Sequence, residues 1–105
     1  MRNNLEEIKY EELSEILQVY LDKGETKQAL EYCKEVAQAK NPYGHMFMGF
    51  IYEEGHGAVE VDYERALRCY QKADMEGCDM QEDIARVKEQ LKRIRKSIST
   101  YCDDT

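Results

Sequence analysis

Two histidines, four cysteines and a surplus of carboxylates are the side chains here that could do chemistry. His56 stands between Gly55 and Gly57, with Glu53 and Glu60 close by in sequence. Glu53, His56 and Glu60 could gather around a stray cation, but a built metal site brings its ligands at close spacing, such as His at i and i+4. Neither His45 nor His56 has that company. The glycines raise a second chemistry, a loop that cradles phosphate. Such a loop aims several backbone N–H groups at one anion from a helix N-terminus, usually after a strand. Here Glu53, Glu54, Glu60 and Asp62 surround the loop with negative charge, which repels an anion. Gly55-His56-Gly57 therefore reads as a bend between two helices. No Ser, His and Asp set carries a local nucleophile signature. The expectation is no catalytic residue, no metal and no cofactor. A small hydrolase or metal-binding protein built on His45, His56 and neighbouring glutamates stands as the remote alternative.

The cysteines at 33, 69, 78 and 102 lack the C-x2-C spacing of zinc sites. Cys33 and Cys69 fall on apolar helical faces, where a thiol packs as a small hydrophobe. Cys102 lies in a polar tail. The N-terminal stretch MRNNLEEIKYEEL has no apolar h-region, so a cytoplasmic location and reduced thiols are expected.

Composition narrows the class. The chain has 105 residues, 35% charged and 42% hydrophobic, with one proline. That balance suits one helix-rich domain with an elongated core, and no apolar run is long enough for a membrane span. The net charge of −7 is unevenly spread. Residues 1–64 hold 14 acidic and 6 basic side chains, whereas residues 65–105 hold 8 and 9. An acidic front half repels nucleic acid and anionic lipid, so neither is expected as a partner. The cluster Arg86, Lys88, Lys92, Arg93, Arg95 and Lys96 reads as cations complementing a helix C-terminus. No aromatic residue is interleaved there to stack on bases.

Five helices must position these groups. Asn4 with Glu7 forms a capping box for the first, which carries Leu5, Ile8, Leu13, Ile16, Leu17 and Tyr20 and stops at Gly24. Thr26 opens the second, and Asn41-Pro42 closes it. The third runs from Pro42 to Glu54. Asp62 caps the fourth, Gly77 ends it, and Asp79 with Glu82 opens a longer fifth. Ala29-Leu30-x-Tyr32-Cys33-x-x-Val36 and Ala66-Leu67-x-Cys69-Tyr70-x-x-Ala73 match at an offset of 37 residues. A period in the mid-thirties marks helix–turn–helix units that must stack to bury their faces. The fold expected is all-α, a short α-solenoid of two repeats plus a long C-terminal capping helix. Its units are residues 3–40, 42–77 and 79–100.

Residues 44–77 resemble a Sel1-like repeat, a relative of the tetratricopeptide repeat. Gly44 occupies the first small position, Met48-Gly49 the Leu-Gly pair and Tyr52 the tyrosine. Gly55 and Gly57 hold the loop glycines. Asp62, Arg65-Ala66, Cys69-Tyr70, Lys72-Ala73 and Gly77 follow in register. The loop is one residue longer than the family pattern, and Cys69 replaces an aromatic residue. Residues 5–40 resemble a degenerate tetratricopeptide-like unit. The secreted, disulfide-bonded branch of the family does not fit, because its first cysteine follows the Lys-Ala pair, where Asp74 stands here. The resemblance implies a non-catalytic interaction module: an adaptor, a regulator or an immunity-type protein.

Two surfaces are candidates for a partner, the concave inner face of the solenoid and the final helix. Phe47 and Phe50, beside Glu11, Glu15 and Glu54, would suit a basic, partly apolar segment of another protein if they face outward. Core packing is the competing reading for both phenylalanines. On the fifth helix, Met80, Ile84, Val87, Leu91, Ile94 and Ile98 form a heptad seam. Leu91, Ile94, Ile98 and Tyr101 are placed to overhang the repeat and to meet another protein or, as a homodimer, a second copy.

Overall fold

A computed structural model describes residues 5–102, with side chains through residue 96. Five α-helices follow one another: α1 (Tyr10–Asp22), α2 (Thr26–Gln38), α3 (Pro42–Glu54), α4 (Tyr63–Met75) and α5 (Gln81–Cys102). No strand occurs among the described residues, so the fold is all-α as expected. Each helix packs on its neighbours in sequence, and α3 lies between α2 and α4.

The apolar spacing explains the packing. Ala29, Leu30, Cys33 and Val36 give α2 one buried stripe, and Ala66, Cys69, Tyr70 and Ala73 give α4 another. Between them α3 buries Met46, Phe47, Ile51 and Tyr52 on more than one side. Two glycines let the backbones meet. A Cβ on Gly44 would stand 2.6 Å from the Cys33 carbonyl of α2, and one on Gly49 would run into the Tyr70 ring of α4. Both close approaches exclude any larger residue. Each fully buried large side chain here, Leu13, Val36, Tyr70 and Val87 among them, contributes about 1.5–3 kcal/mol by leaving water.

Local caps set the boundaries. The Asn41 side chain accepts from the Tyr43 N–H at 3.1 Å with Pro42 at the first helical position, and Asp62 accepts from Arg65 N–H at 3.1 Å. Gly55 ends α3 at φ 68°, and the His56–Val59 turn closes with two backbone bonds of 2.8 Å. The loop is the bend the sequence implies.

The N-terminus differs from expectation. Leu5–Glu7 form a 3-10 turn, and α1 begins only at Tyr10, where Glu12 accepts from the Lys9 N–H at 3.4 Å. Asn4, the expected cap, lies outside the described residues. The cause is distant in sequence. The Asn41 amide, 4% exposed, donates to the carbonyls of Leu5 at 3.0 Å and Ile8 at 2.9 Å. Those carbonyls are thereby held away from α1. The start of α5 also shifts, since Asp79 accepts from Gln81 N–H at 3.3 Å and Asp74 accepts from Met80 N–H at 3.0 Å.

Candidate functional site

A groove of about 170 Å³ runs between α1 and α3. Leu17, Leu21, Phe47, Phe50 and Ile51 give it an apolar floor, with Ser14, Gln18, Glu54 and His56 along its edges. Positions 14, 18 and 21 of α1, and 47, 50 and 54 of α3, recur at the three- and four-residue steps that place side chains on one helix face. The two phenylalanines behave differently. Phe47 is only 8% exposed, wedged against Tyr10 and Phe50 at ring separations of 5.1 and 5.4 Å. Phe50 is half-buried, and its ring also meets Tyr70 at 5.7 Å. Phe47 is therefore a core residue that closes the floor, and Phe50 is the ring open to the groove.

The surroundings are acidic. Glu11, Glu12, Glu15 and Asp22 on α1, and Glu54 on α3, share their helices with no Lys or Arg. Glu54 lines the groove, and Glu11 and Glu15 are exposed on α1 outside its lining. Sequence reasoning named these three and both phenylalanines. It missed Ser14, Leu17, Gln18 and Leu21 as groove residues. Their common helical stripe was visible, but which neighbouring helix it faced was not.

Glu53 is already occupied. Its carboxylate accepts from Arg86 of α5 at 2.6 and 2.8 Å and from the Tyr70 hydroxyl of α4 at 2.6 Å. Arg86 also holds Asp83 at 2.7 Å. The Arg86 hydrogen bonds keep the Glu53 carboxyl below the ordinary glutamate range, against the opposing effect of burial. Burial first, and then the bond to Glu53, push the Tyr70 hydroxyl up. This network ties α3, α4 and α5 together. Arg86 thus lies early in α5 and pairs across helices, rather than serving the helix C-terminus as its sequence neighbours suggested.

The histidines are spent singly. His45 Nδ1 lies 2.9 Å from Glu76, and His56 Nε2 lies 3.2 Å from Glu54. Glu53 turns to Arg86, and among the described residues no group of three or more His, Cys, Asp and Glu gathers to hold a metal. Cys33, Cys69 and Cys78 are free thiols. Burial pushes the Cys33 thiol up to about 12 and raises Cys69 and Cys78 as well.

The final helix is longer than the helix it packs on. α5 has 22 residues and α4 has 13, about 33 Å against 20 Å at 1.5 Å per residue. Val87 is buried and Ile84 and Leu91 are half-buried against the core, while Ile94 is 42% exposed. Ile98 lies beyond the residues whose side chains are described. No described helix is long and apolar enough to cross a membrane. The chain matches no family model, and neither a curated protein nor a solved structure matches it.

Proposed function

We propose that the protein is a non-catalytic protein-binding module whose binding face is the α1–α3 groove. The observation that carries this reading is an apolar floor, Leu17, Leu21 and Phe50, edged by Glu54 and set beside α1, whose four carboxylates share their helix with no basic side chain. Apolar contact supplies affinity there, and the carboxylate rim selects a basic, partly apolar segment over others. The resemblance of residues 44–77 to a Sel1-like repeat supports the same class, with α1 to α4 as two stacked hairpins of a short solenoid capped by α5. Adaptor, regulator and immunity-type roles are all compatible with such a surface. The test is titration with an amphipathic Lys/Leu peptide. Micromolar binding that weakens at least tenfold in Glu11→Lys/Glu54→Lys and in Phe50→Ala supports the reading. Binding indifferent to both variants overturns it.

A second reading, a homodimer through α5, is favoured by the exposed Ile94 on a helix longer than its support. Sedimentation equilibrium decides it. A concentration-dependent mass that Ile94→Asp abolishes supports the dimer, and a strict monomer excludes it.

A further inference from the structure

α3 has a second face. His45, Met48 and Tyr52 point away from the Phe47, Phe50 and Glu54 side, and they floor a groove that α2 and α4 wall in. The cavity there is about 430 Å³, and smaller cavities continue it at both ends, toward Val59 and toward Ala37. Its walls are basic. Lys34 comes from α2, and Arg65, Arg68 and Lys72 come from α4 at steps of three and four that set them along one edge.

Some of this charge is locally answered. Lys34 pairs with Glu31 at 3.6 Å, Arg65 with Asp62 at 3.5 Å, and His45 with Glu76 at 2.9 Å. Arg68 and Lys72 have no carboxylate within 4.0 Å among the described residues, although both project at the same cavity. Their fields reach the Cys69 thiol beneath them, together with that of Arg65.

We propose that the α2–α4 groove is a second binding surface, which takes an acidic protein segment carrying apolar side chains. Charge complementarity sets the acidic half of that description, and Met48 on the floor with Leu30 of α2 in the adjoining cavity sets the apolar half. The reach fits a short segment. Lys27 to Gln38 of α2 spans about 16 Å, the length of about five extended residues. Nucleic acid suits the groove less well. Glu60 and Asp62 interrupt the positive track at one end, and Arg65 covers the Tyr52 ring at 5.5 Å, so that ring offers no face to a base. This surface is independent of the acidic α1–α3 groove, and either can exist without the other.

The test is fluorescence anisotropy with a labelled Glu/Leu peptide, at low and at physiological salt. Arg68→Glu/Lys72→Glu changes two exposed side chains, and an unchanged thermal melt shows that the variant is folded. The expected result is saturable binding, weakened by salt and at least tenfold weaker in the variant, while the Lys/Leu peptide still binds as before. No binding overturns the proposal. Binding that the variant leaves unchanged also overturns it, since the peptide then rests elsewhere, for instance on the basic stretch of α5. A single-stranded DNA oligonucleotide that binds more tightly than the peptide, and is lost in the variant, overturns the choice of an acidic protein segment.

Discussion

Arg86 grips Glu53 with two nitrogens, Nε at 2.6 Å and Nη2 at 2.8 Å, across 33 residues of sequence. The carboxylate side chain is 15% exposed and the guanidinium 47%, so water screens one partner far more than the other. Bidentate geometry and the added Tyr70 bond place the pair above an ordinary surface ion pair. Glu53→Gln is expected to cost about 1 kcal/mol in urea denaturation, with Arg86→Lys intermediate because a single ammonium cannot reproduce the fork.

The same contact gives a pH dependence. Glu53 has a folded-state pKa below its unfolded value. Its contribution is present above the unfolded value of about 4.3 and is lost as pH falls through the depressed folded value. Melting temperatures measured from pH 6 down to pH 3 should fall for the parent chain. Glu53→Gln should show a shallower decline over that window. Identical slopes would show that the carboxylate contributes nothing.

Asn41 supports three separate contacts, one to its own helix start and two to the N-terminal segment. Asn41→Asp keeps the acceptor for Tyr43 N–H but turns a carboxylate toward the carbonyls of Leu5 and Ile8. A loss of about 2 kcal/mol is expected, with faster amide exchange before Tyr10 than in α3. Uniform exchange acceleration across the chain would contradict a clamp confined to that segment.

Gly44→Ala places a methyl against the backbone of Ala37 and Cys33, which cannot move without parting α2 from α3. The cost expected is about 1–3 kcal/mol. Phe47→Ala is also expected to destabilise, by about 3 kcal/mol, as the loss of a buried aromatic ring does. Phe50→Ala should cost less, which makes it the usable probe of binding.

Thiol labelling at pH 8 separates the cysteines. With Cys102 replaced by serine, Cys78 should react first, because it is only half-buried. Cys33, fully buried and with its thiol pushed up to about 12, should label only as the chain unfolds. Early modification of Cys33, read by peptide mapping, would show that α2 opens easily.

Much of this fold was legible because its signals are local. Pro42 to Glu54 reads directly as α3, since Asn41-Pro42 starts it and Gly55 ends it. The repeat of Ala, Leu, Cys and Tyr gave α2 and α4 their buried stripes. The start of α1 was not legible, because a side chain more than 30 residues away decides it. Facing was the other gap. Phe47 and Phe50 lie three residues apart on one stripe, yet Phe47 is buried between Tyr10 of α1 and Phe50, while Phe50 stays half-open. The basic edge of Arg65, Arg68 and Lys72 had a readable spacing. It stayed hidden because a net charge sums these cations with carboxylates that lie elsewhere on the surface.

That separation of charge makes the molecule an electric dipole. Carboxylates crowd α1, cations line the α2–α4 groove and stud α5, and the sum is −7. Near a charged surface at low ionic strength the molecule presents a chosen side, and an anionic surface meets the cations of α4 and α5 before the carboxylates of α1. Its net charge therefore predicts how far it migrates, and its dipole predicts which way it faces on arrival.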